Sequence, residues 1–341
     1  MGVSVAMGTY NGARFLGEQL NSLAAQTVLP AELLVSDDNS TDATLDIVRA
    51  FAATAPFPVR ILDKAERLGF ADNFLNAAAH CRHDIVAFCD QDDVWLPHKL
   101  EVGLRRLLDD DSLLSMHRLT VTDEALQPVA TWDQDIEADA VFEPLALDPY
   151  ITGWGNSMMF RRELATLIPR ERRPRQPESP DRPLSHDTWI YVLAAALGRV
   201  SHIREPLILY RQHGRNTEGL TVRPELFRHR LLAWSRVPMT RIKEQCLFDE
   251  RMAALFDQLA RTPGGFAEPA RRAAAAFGMR RDVLATRIRL HDAARLSERL
   301  DAYRRLQRMP RDVPPWLGSR AKEFVLGVLG VATALNRKAG S

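Results

Sequence analysis

Two hydrophobic periods alternate over the first hundred residues. Residues 3–6 form a short apolar run that leads into the polar cluster Thr9-Tyr10-Asn11. Phe15, Leu16, Leu20 and Leu23 then recur at helical spacing, which predicts a helix over 13–26. A second apolar run, 33–36, ends in the turn-forming Asp37-Asp38-Asn39-Ser40. Asp42 stands where a helix N-cap belongs, and the helix is expected to reach residue 53. The same alternation continues with a strand over 59–62, a helix over 71–80 and a strand over 85–89. That strand ends in Asp90-Gln91-Asp92-Asp93, and Pro97 occupies a favoured first-turn position of the next helix.

Strand and helix in strict alternation predict an α/β fold: a doubly wound, mostly parallel sheet with helices on both faces. Such sheets bind ligands beyond the carboxyl ends of their strands. The three polar clusters fall at those ends, so periodicity and chemistry point to one rim. The middle of the chain is less regular. Short strands are expected at 113–117 and 119–122, with a turn at Asp123-Glu124. Residues 153–160 read as a loop entering a strand. Residues 169–183, with five prolines and five arginines, read as a surface loop. A helix capped by Ser185 is expected over 185–197, and a strand over 206–211. From residue 222 the pattern is helical and basic, with Leu284, Ile288, Leu296, Leu300 and Tyr303 marking an apolar face. These features divide the chain into an α/β domain, 1–217, and a basic helical C-terminal extension, 218–341.

The 341 residues are 46% hydrophobic and 26% charged, an ordinary balance for a folded soluble protein. Three well-separated cysteines, Cys81, Cys89 and Cys246, make no CxxC pair, which argues against a disulfide scaffold or a thiolate zinc site and fits a reducing compartment. The N-terminal segment lacks the form of a signal peptide, and no apolar run reaches the roughly 20 residues needed to span a bilayer. A cytoplasmic location is therefore expected. The formal charge of +1 hides an asymmetry: residues 1–217 carry a net −10 and residues 218–341 a net +11. Basic helices and the short apolar run 324–335 suggest peripheral contact with the anionic inner face of a membrane; a helical cap or a homo-oligomer interface is the alternative. Nucleic acid is not expected, because the basic excess lacks interleaved aromatics.

The strongest local chemistry is Cys89-Asp90-Gln91-Asp92-Asp93-Val94-Trp95. Residues two apart on an extended segment face one side, so Asp90 and Asp92 can aim two carboxylates at one point, with Gln91 and Asp93 facing away. Carboxylate oxygens suit Mg²⁺ or Mn²⁺, and an ion held by two protein groups keeps positions for phosphate oxygens. The alternative is a solvated acidic turn. Asp38 fits either a contact to a base or ribose or plain turn chemistry. Asp187, at a helix start, should stay ionised and fits a general base or a second cap. His213 could bind a metal, and Arg211 or Arg215 a phosphate. There is no GxGxxG, GxxxxGK[ST], GxSxG or HExxH, which weighs against dinucleotide dehydrogenases, P-loop enzymes, serine hydrolases and zinc proteases.

The ordered set Thr9-Tyr10-Asn11-Gly12, Val35-Ser36-Asp37-Asp38-Asn39-Ser40-Thr41-Asp42, Leu68-Gly69-Phe70 with Asn73, Asp90-Gln91-Asp92-Asp93-Val94-Trp95 with Pro97 and Lys99-Leu100, Gly153 with Asn156, His186-Asp187 and Tyr210-Arg211-Gln212-His213-Gly214 with Asn216 resembles the family-two glycosyltransferases. The match covers roughly residues 1–217 and looks most like the bacterial polysaccharide branch that includes rhamnosyltransferases. The resemblance implies a GT-A fold, a UDP- or dTDP-linked sugar donor, a saccharide or lipid-linked acceptor, Mg²⁺ or Mn²⁺ as cofactor, and inversion at the sugar carbon. Carried over residue by residue, Thr9, Tyr10, Asn11, Asp37, Asp38, Gly69, Asn73, Asp90, Gln91 and Arg211 would bind the nucleotide-sugar. Asp92, Asp90 and His213 would hold the metal. Asp187 matches the catalytic base, with His186 where the family often has Glu, and Trp95, Trp154 and Asn156 would line the acceptor or sugar pocket. Against this stand a sugar-nucleotide-forming nucleotidyltransferase, which usually carries a Gly/Arg/Lys-rich loop after the first strand, and an inactive scaffold acting through its helical tail.

Overall fold

The computed structural model describes residues 2–62, 66–148, 153–214, 216 and 239–309. Chain contacts divide it into two compact units, one of residues 1–144, 149–173 and 184–222, the other of 145–148, 174–183 and 223–341.

The first unit is built on strands β1 (Val3–Thr9), β2 (Glu32–Asp37), β3 (Val59–Leu62), β4 (Ile85–Cys89), β5 (Val94–Trp95), β6 (Ser112–Thr122), β7 (Pro128–Trp132), β8 (Ala140–Phe142), β9 (Met158–Arg161) and β12 (Arg199–Arg211). Their order is β3-β2-β1-β4-β9-β6-β12-β5, with β7 on β6 and β8 on β12. The first four strands are mutually parallel, β9 runs antiparallel between β4 and β6, and β6 pairs parallel with β12. Helices α1 (Leu16–Ala24), α2 (Thr44–Ala52), α3 (Phe70–His80), α4 (Lys99–Asp109), α5 (Glu163–Thr166) and α6 (His186–Leu197) connect them.

All seven residues of β1 and all six of β2 are buried, as expected of strands covered on both faces. Leu16, Leu20 and Leu23 of α1 supply one covering layer, packing with Val5, Met7, Leu33, Val35, Ile85 and Ala87. The parallel register places Thr9 opposite Asp37, so the first two polar clusters share one rim.

The structure differs from the periodicity reading in several places. β6 is one continuous strand, because β12 on one side and β9 and β7 on the other pair it along its length. β12 extends back to Arg199 through register shifts at its paired stretches. Asp42 lies just before α2, where it accepts hydrogen bonds from the Thr44 and Ala13 amides.

In the second unit, residues 174–183 form the antiparallel hairpin β10 (Arg175–Gln176) and β11 (Ser179–Pro183) rather than a plain loop. Helices α7 (Met239–Ala260), α8 (Ala267–Asp292) and α9 (Leu296–Arg308) form its helical part. Phe256 and Phe277 pack at 5.5 Å between ring centroids, and the buried Arg280 Nε lies 2.8 Å from Asp249 Oδ2. Leu284 is buried, and Leu300 and Tyr303 pack against Leu290 and Ala302. Leu296 departs from the expected apolar face: it opens α9 and is 60% exposed. The run 324–335 lies outside the described residues. No described helix is long and apolar enough to cross a membrane.

Candidate functional site

The rim begins where β1 and β2 end. Thr9 Oγ1 donates to Asp37 Oδ1 at 2.8 Å, and Asp37 also accepts from the Ser40 amide and hydroxyl at 2.8 and 2.6 Å. Asp37 therefore braces the turn. Asn11, at φ 49°, receives the Thr41 amide at 2.8 Å and gives its own amide to Ser40 Oγ at 2.8 Å. Asp38 is 3% exposed. Its carboxylate accepts from the Leu68 and Gly69 amides at 2.7 and 3.0 Å and from Arg67 Nε at 3.2 Å. The Arg67 guanidinium also lies 4.0 Å from the Tyr10 ring centroid. Tyr10 itself is 41% exposed, so its ring offers an aromatic face at the rim. Gly69 has φ +80°, a conformation natural to glycine, which lets its amide reach Asp38. Asn73 is turned inward: it exchanges hydrogen bonds with the Ser36 hydroxyl and carbonyl at 2.6 and 2.7 Å.

The acidic loop after β4 joins this rim through Gln91. Its amide pairs with the Tyr10 backbone in both directions, at 3.0 and 3.1 Å. A Cβ on Gly12 would lie 2.1 Å from Gln91 Oε1, so a larger residue there would displace the Gln91 side chain from the Tyr10 backbone. Asp92 Oδ2 lies 2.8 Å from His213 Nε2, with the His213 ring 4.8 Å from that of Phe15. Asp90 is pushed well above the usual carboxylate range, first by burial and then by the charges of Asp93, Asp92 and Asp187. Asp187, at the start of α6, is thus near enough for its charge to act on Asp90. Its Oδ1 is held by the Ser185 hydroxyl and by the Thr188 amide at 2.7 Å, while Oδ2 makes no hydrogen bond among the described residues.

Packing redirects three sequence assignments. Arg211 is buried, and its guanidinium donates to the Asp92 and Glu124 carbonyls and to the Glu18 carboxylate, so it is committed to the protein rather than to a phosphate. Trp95 is 2% exposed and belongs to the hydrophobic core. Asn156 is 1% exposed and donates to Asp93 Oδ2 at 2.6 Å. Trp154 is half-buried against Tyr210, edge to face at 4.9 Å. Arg215 lies outside the described residues.

Other residues escaped the sequence reading. Asp93, which the alternation turns away from Asp90, is fully buried, acts on Asp90 more strongly than Asp92 does, and also accepts the Arg211 amide at 3.1 Å. Burial, then the Asp92 charge, pushes it up to about 8. Lys99 is buried too, and burial draws it down to about 7. A lysine opening an amphipathic helix, in a chain with five lysines among 45 cations, was the available signal. An open cavity of ≈ 780 Å³ lies elsewhere, lined by Arg118, Thr131, Ala138, Asp139, Arg204, Glu205 and Pro206. It contains none of the rim carboxylates, and the convergence of titratable groups rather than cavity size marks the site.

Among the described residues no three His, Cys, Asp or Glu side chains are grouped to hold an ion together. The adjacent oxygen and nitrogen of Asp92 and His213, beside the mutually repelling Asp90, nevertheless fit an oxygen-seeking divalent cation that takes its other ligands from a substrate.

Residues 4–165 match the model of glycosyl transferase family 2. An uncharacterised glycosyltransferase of Nostoc sp. is 30% identical over 231 residues, 63% of this chain and 66% of that protein. The chain thus spans slightly less than two thirds of that relative's length. The dTDP-rhamnosyl transferase RfbG of Shigella flexneri is 27% identical over 63% of this chain and 74% of its own. Among solved structures, S. aureus TarS 1–349 superposes with a TM-score of 0.53 at 18% identity, over 90% of each chain. Its complex with UDP-GlcNAc gives 0.52 at 18%, over 99% of this chain and 92% of that one. The structural likenesses carry the fold, and the family model and sequence relatives carry the similarity: residues 4–165, just under half of this chain, are similar to glycosyltransferase family 2.

Proposed function

We propose that the protein is an inverting glycosyltransferase. It moves a sugar from a UDP- or dTDP-linked donor, with rhamnose among the candidates, to a hydroxyl of a saccharide or lipid-linked acceptor in bacterial surface polysaccharide synthesis. The observation that carries this reading is the match of residues 4–165 to glycosyltransferase family 2, and the charge of Asp187 acting on Asp90 across nearly a hundred residues of chain supports it. The rhamnosyl relative and the UDP-GlcNAc complex of the structural neighbour support the donor class.

In this reading Tyr10 offers its exposed ring to the nucleotide, and the loop held by Asp38 closes the base side. Asp92 and His213 would hold Mg²⁺ or Mn²⁺, which when bound offsets the charge growing on the departing diphosphate. Asp187, fixed through Oδ1, turns Oδ2 to the acceptor. As the acceptor oxygen bonds to the anomeric carbon, its proton passes to Oδ2 and the nucleoside diphosphate leaves from the opposite face. A carboxylate suffices, because the hydroxyl becomes acidic only as the new bond forms. The C-terminal helices are assigned to membrane-surface or partner contact at the cytoplasmic face.

Incubation with a panel including UDP-GlcNAc and dTDP-rhamnose, with and without Mn²⁺, tests the reading. Metal-stimulated transfer or donor hydrolysis is expected from the wild type, and a loss on the order of 10³-fold from Asp187→Asn, with donor affinity kept within a few-fold. Wild-type turnover in Asp187→Asn would remove the base assignment, and absence of binding to every donor would remove the function.

A further inference from the structure

Beneath the acidic loop runs a buried polar chain that the transfer reaction does not itself use. Asp93 accepts the Asn156 side-chain amide at 2.6 Å, and the Asn156 carbonyl accepts Lys99 Nζ at 3.0 Å. Lys99 Nζ also lies 2.7 Å from His117 Nε2 and 4.5 Å from the Trp95 ring centroid. His117 Nδ1 lies 2.7 Å from the Arg118 carbonyl oxygen. The residue before Asn156 meets the other half of the site. A Cβ on Gly155 would stand 2.6 Å from His186 Nε2 and 3.4 Å from Asp187 Cβ. His186 is in turn pinned by aromatic rings, stacked on Phe74 at 4.3 Å and edge-on to Phe70 and Phe88 at 5.0 and 4.8 Å. Two neighbouring backbone positions therefore touch both carboxylate-bearing segments: Asn156 ties to the acidic loop, and Gly155 abuts the start of α6.

We propose that the Gly155–Asn156 pair is the spacer that sets the separation of Asp187 from Asp90 and Asp92, with Lys99 and Asn156 as positioning residues for transfer. Burying Lys99, His117 and Asp93 together is costly, and apolar side chains of similar volume would fill the space at lower cost. What such a network supplies instead is position: Asn156 is held through its side-chain amide by Asp93 and through its backbone carbonyl by Lys99, while its Oδ1 has no partner among the described residues. Displacement of a reacting group by about 1 Å can cost on the order of 10²-fold in rate, so a spacer of this kind would act on turnover more than on donor binding.

The inference rests on Asp187 being the base, and a double-mutant cycle separates the two. Single-turnover donor hydrolysis, with enzyme in excess of labelled donor, is compared for wild type, Lys99→Met, Gly155→Ala, Asp187→Asn and the doubles with Asp187→Asn. Melting temperature is followed for each. Lys99→Met and Gly155→Ala are each expected to lower the rate constant roughly 10- to 100-fold with donor half-saturation within about threefold. In the Asp187→Asn background each is expected to change the rate less than about threefold, since residues acting through one group are not additive. Equal effects in both backgrounds would overturn the spacer while leaving Asp187 intact as base. A lowered melting temperature with unchanged rate in the folded protein would overturn it as well. Should Lys99→Met fail to fold, Gly155→Ala leaves the buried network's hydrogen-bonding groups in place and carries the same test. Wild-type turnover in Asp187→Asn alone would instead be a failure of the base assignment.

Discussion

Asp38 offers a direct test of how the donor side of the rim is held. Its Oδ1 takes the Leu68 amide at 2.7 Å, and its Oδ2 takes the Gly69 amide at 3.0 Å and Arg67 Nε at 3.2 Å. Asp38→Ala removes all three. Hydrogen bonds to a charged acceptor contribute about 1.5–3 kcal/mol each. The two amides belong to half-buried residues, so the lower end applies. The Arg67 side chain is 57% exposed, and its pair with Asp38 adds only a few tenths of a kcal/mol after solvent screening. The total is about 3 kcal/mol, which for a unit of roughly 200 residues lowers the melting temperature by about 6–12 °C. Asp38→Asn keeps one carbonyl acceptor and turns its NH₂ toward a second N–H donor, so one amide keeps its partner and the other loses it. Thermal unfolding and amide hydrogen exchange, both without nucleotide, read the result. In the alanine variant both Leu68 and Gly69 should exchange as fast as exposed loop amides, and in the asparagine variant only one of them should. Unchanged melting and unchanged exchange at both amides in Asp38→Ala, with weakened nucleotide binding, would show that the carboxylate serves the base alone and would refute the anchoring argument.

Three further outcomes are expected. Arg211→Ala leaves the Glu124 and Asp92 carbonyls without a buried donor, while the 56% exposed Glu18 turns to water, and should lower urea-unfolding stability by about 2–4 kcal/mol, with Arg211→Lys recovering only part because it lacks the fork. His202 is drawn down to about 4 by burial, so the unfolded chain binds its proton first and stability falls as pH drops from about 6.5 toward 4. His202→Leu should therefore gain about 2 kcal/mol relative to wild type between pH 7 and 4.5, and a pH-independent difference in urea titrations would contradict this. In the helical unit, Asp249→Ala strips the buried Arg280 of its 2.8 Å partner and should cost about 3–5 kcal/mol in the α7–α8 pair, seen as faster amide exchange there, whereas Asp249→Leu with Arg280→Met should restore most of it.

Much of the rim was legible in the sequence because its residues close parallel strands, and parallel strands announce themselves as short apolar runs. Thr9, Asp37 and Asp90 were found by position alone, at the ends of β1, β2 and β4. What pattern could not supply is where a long or inward side chain finds its partner. Asp93 meets Asn156 across 63 residues, Lys99 reaches Asn156 across 57, and Arg211 reaches Glu18 across 193. Asn156 and Trp95 carry the chemistry of a sugar pocket, yet the fold buries both. β7 escaped for the opposite reason: four of its five residues are exposed, so it carries no apolar period. The hairpin β10–β11 is hidden by prolines, which an edge position tolerates because no ladder amide is needed on the open side.

The fate of the cations decides how the rim's negative charge is to be read. A cluster of aspartates in a folded unit is ordinarily neutralised by nearby arginine or lysine. Here the two buried cations closest along the chain to the acidic motifs are committed elsewhere. Arg211 is spent on two carbonyls and on Glu18, and Lys99 on the Asn156 carbonyl and His117. Asp90 is driven toward the neutral form first by its burial and then by the charges of Asp93, Asp92 and Asp187. An arrangement that leaves like charges facing one another, while using adjacent cations to stiffen the backbone beneath them, lowers stability and gains nothing unless a positive charge arrives from outside. Under the proposed function that charge is the divalent ion carried with the donor diphosphate, and the repulsion stored between Asp90 and its neighbours becomes affinity for it. The stiff scaffold of Asp93, Asn156 and Lys99 then keeps Asp187 from collapsing onto the same ion, leaving its second oxygen for the acceptor.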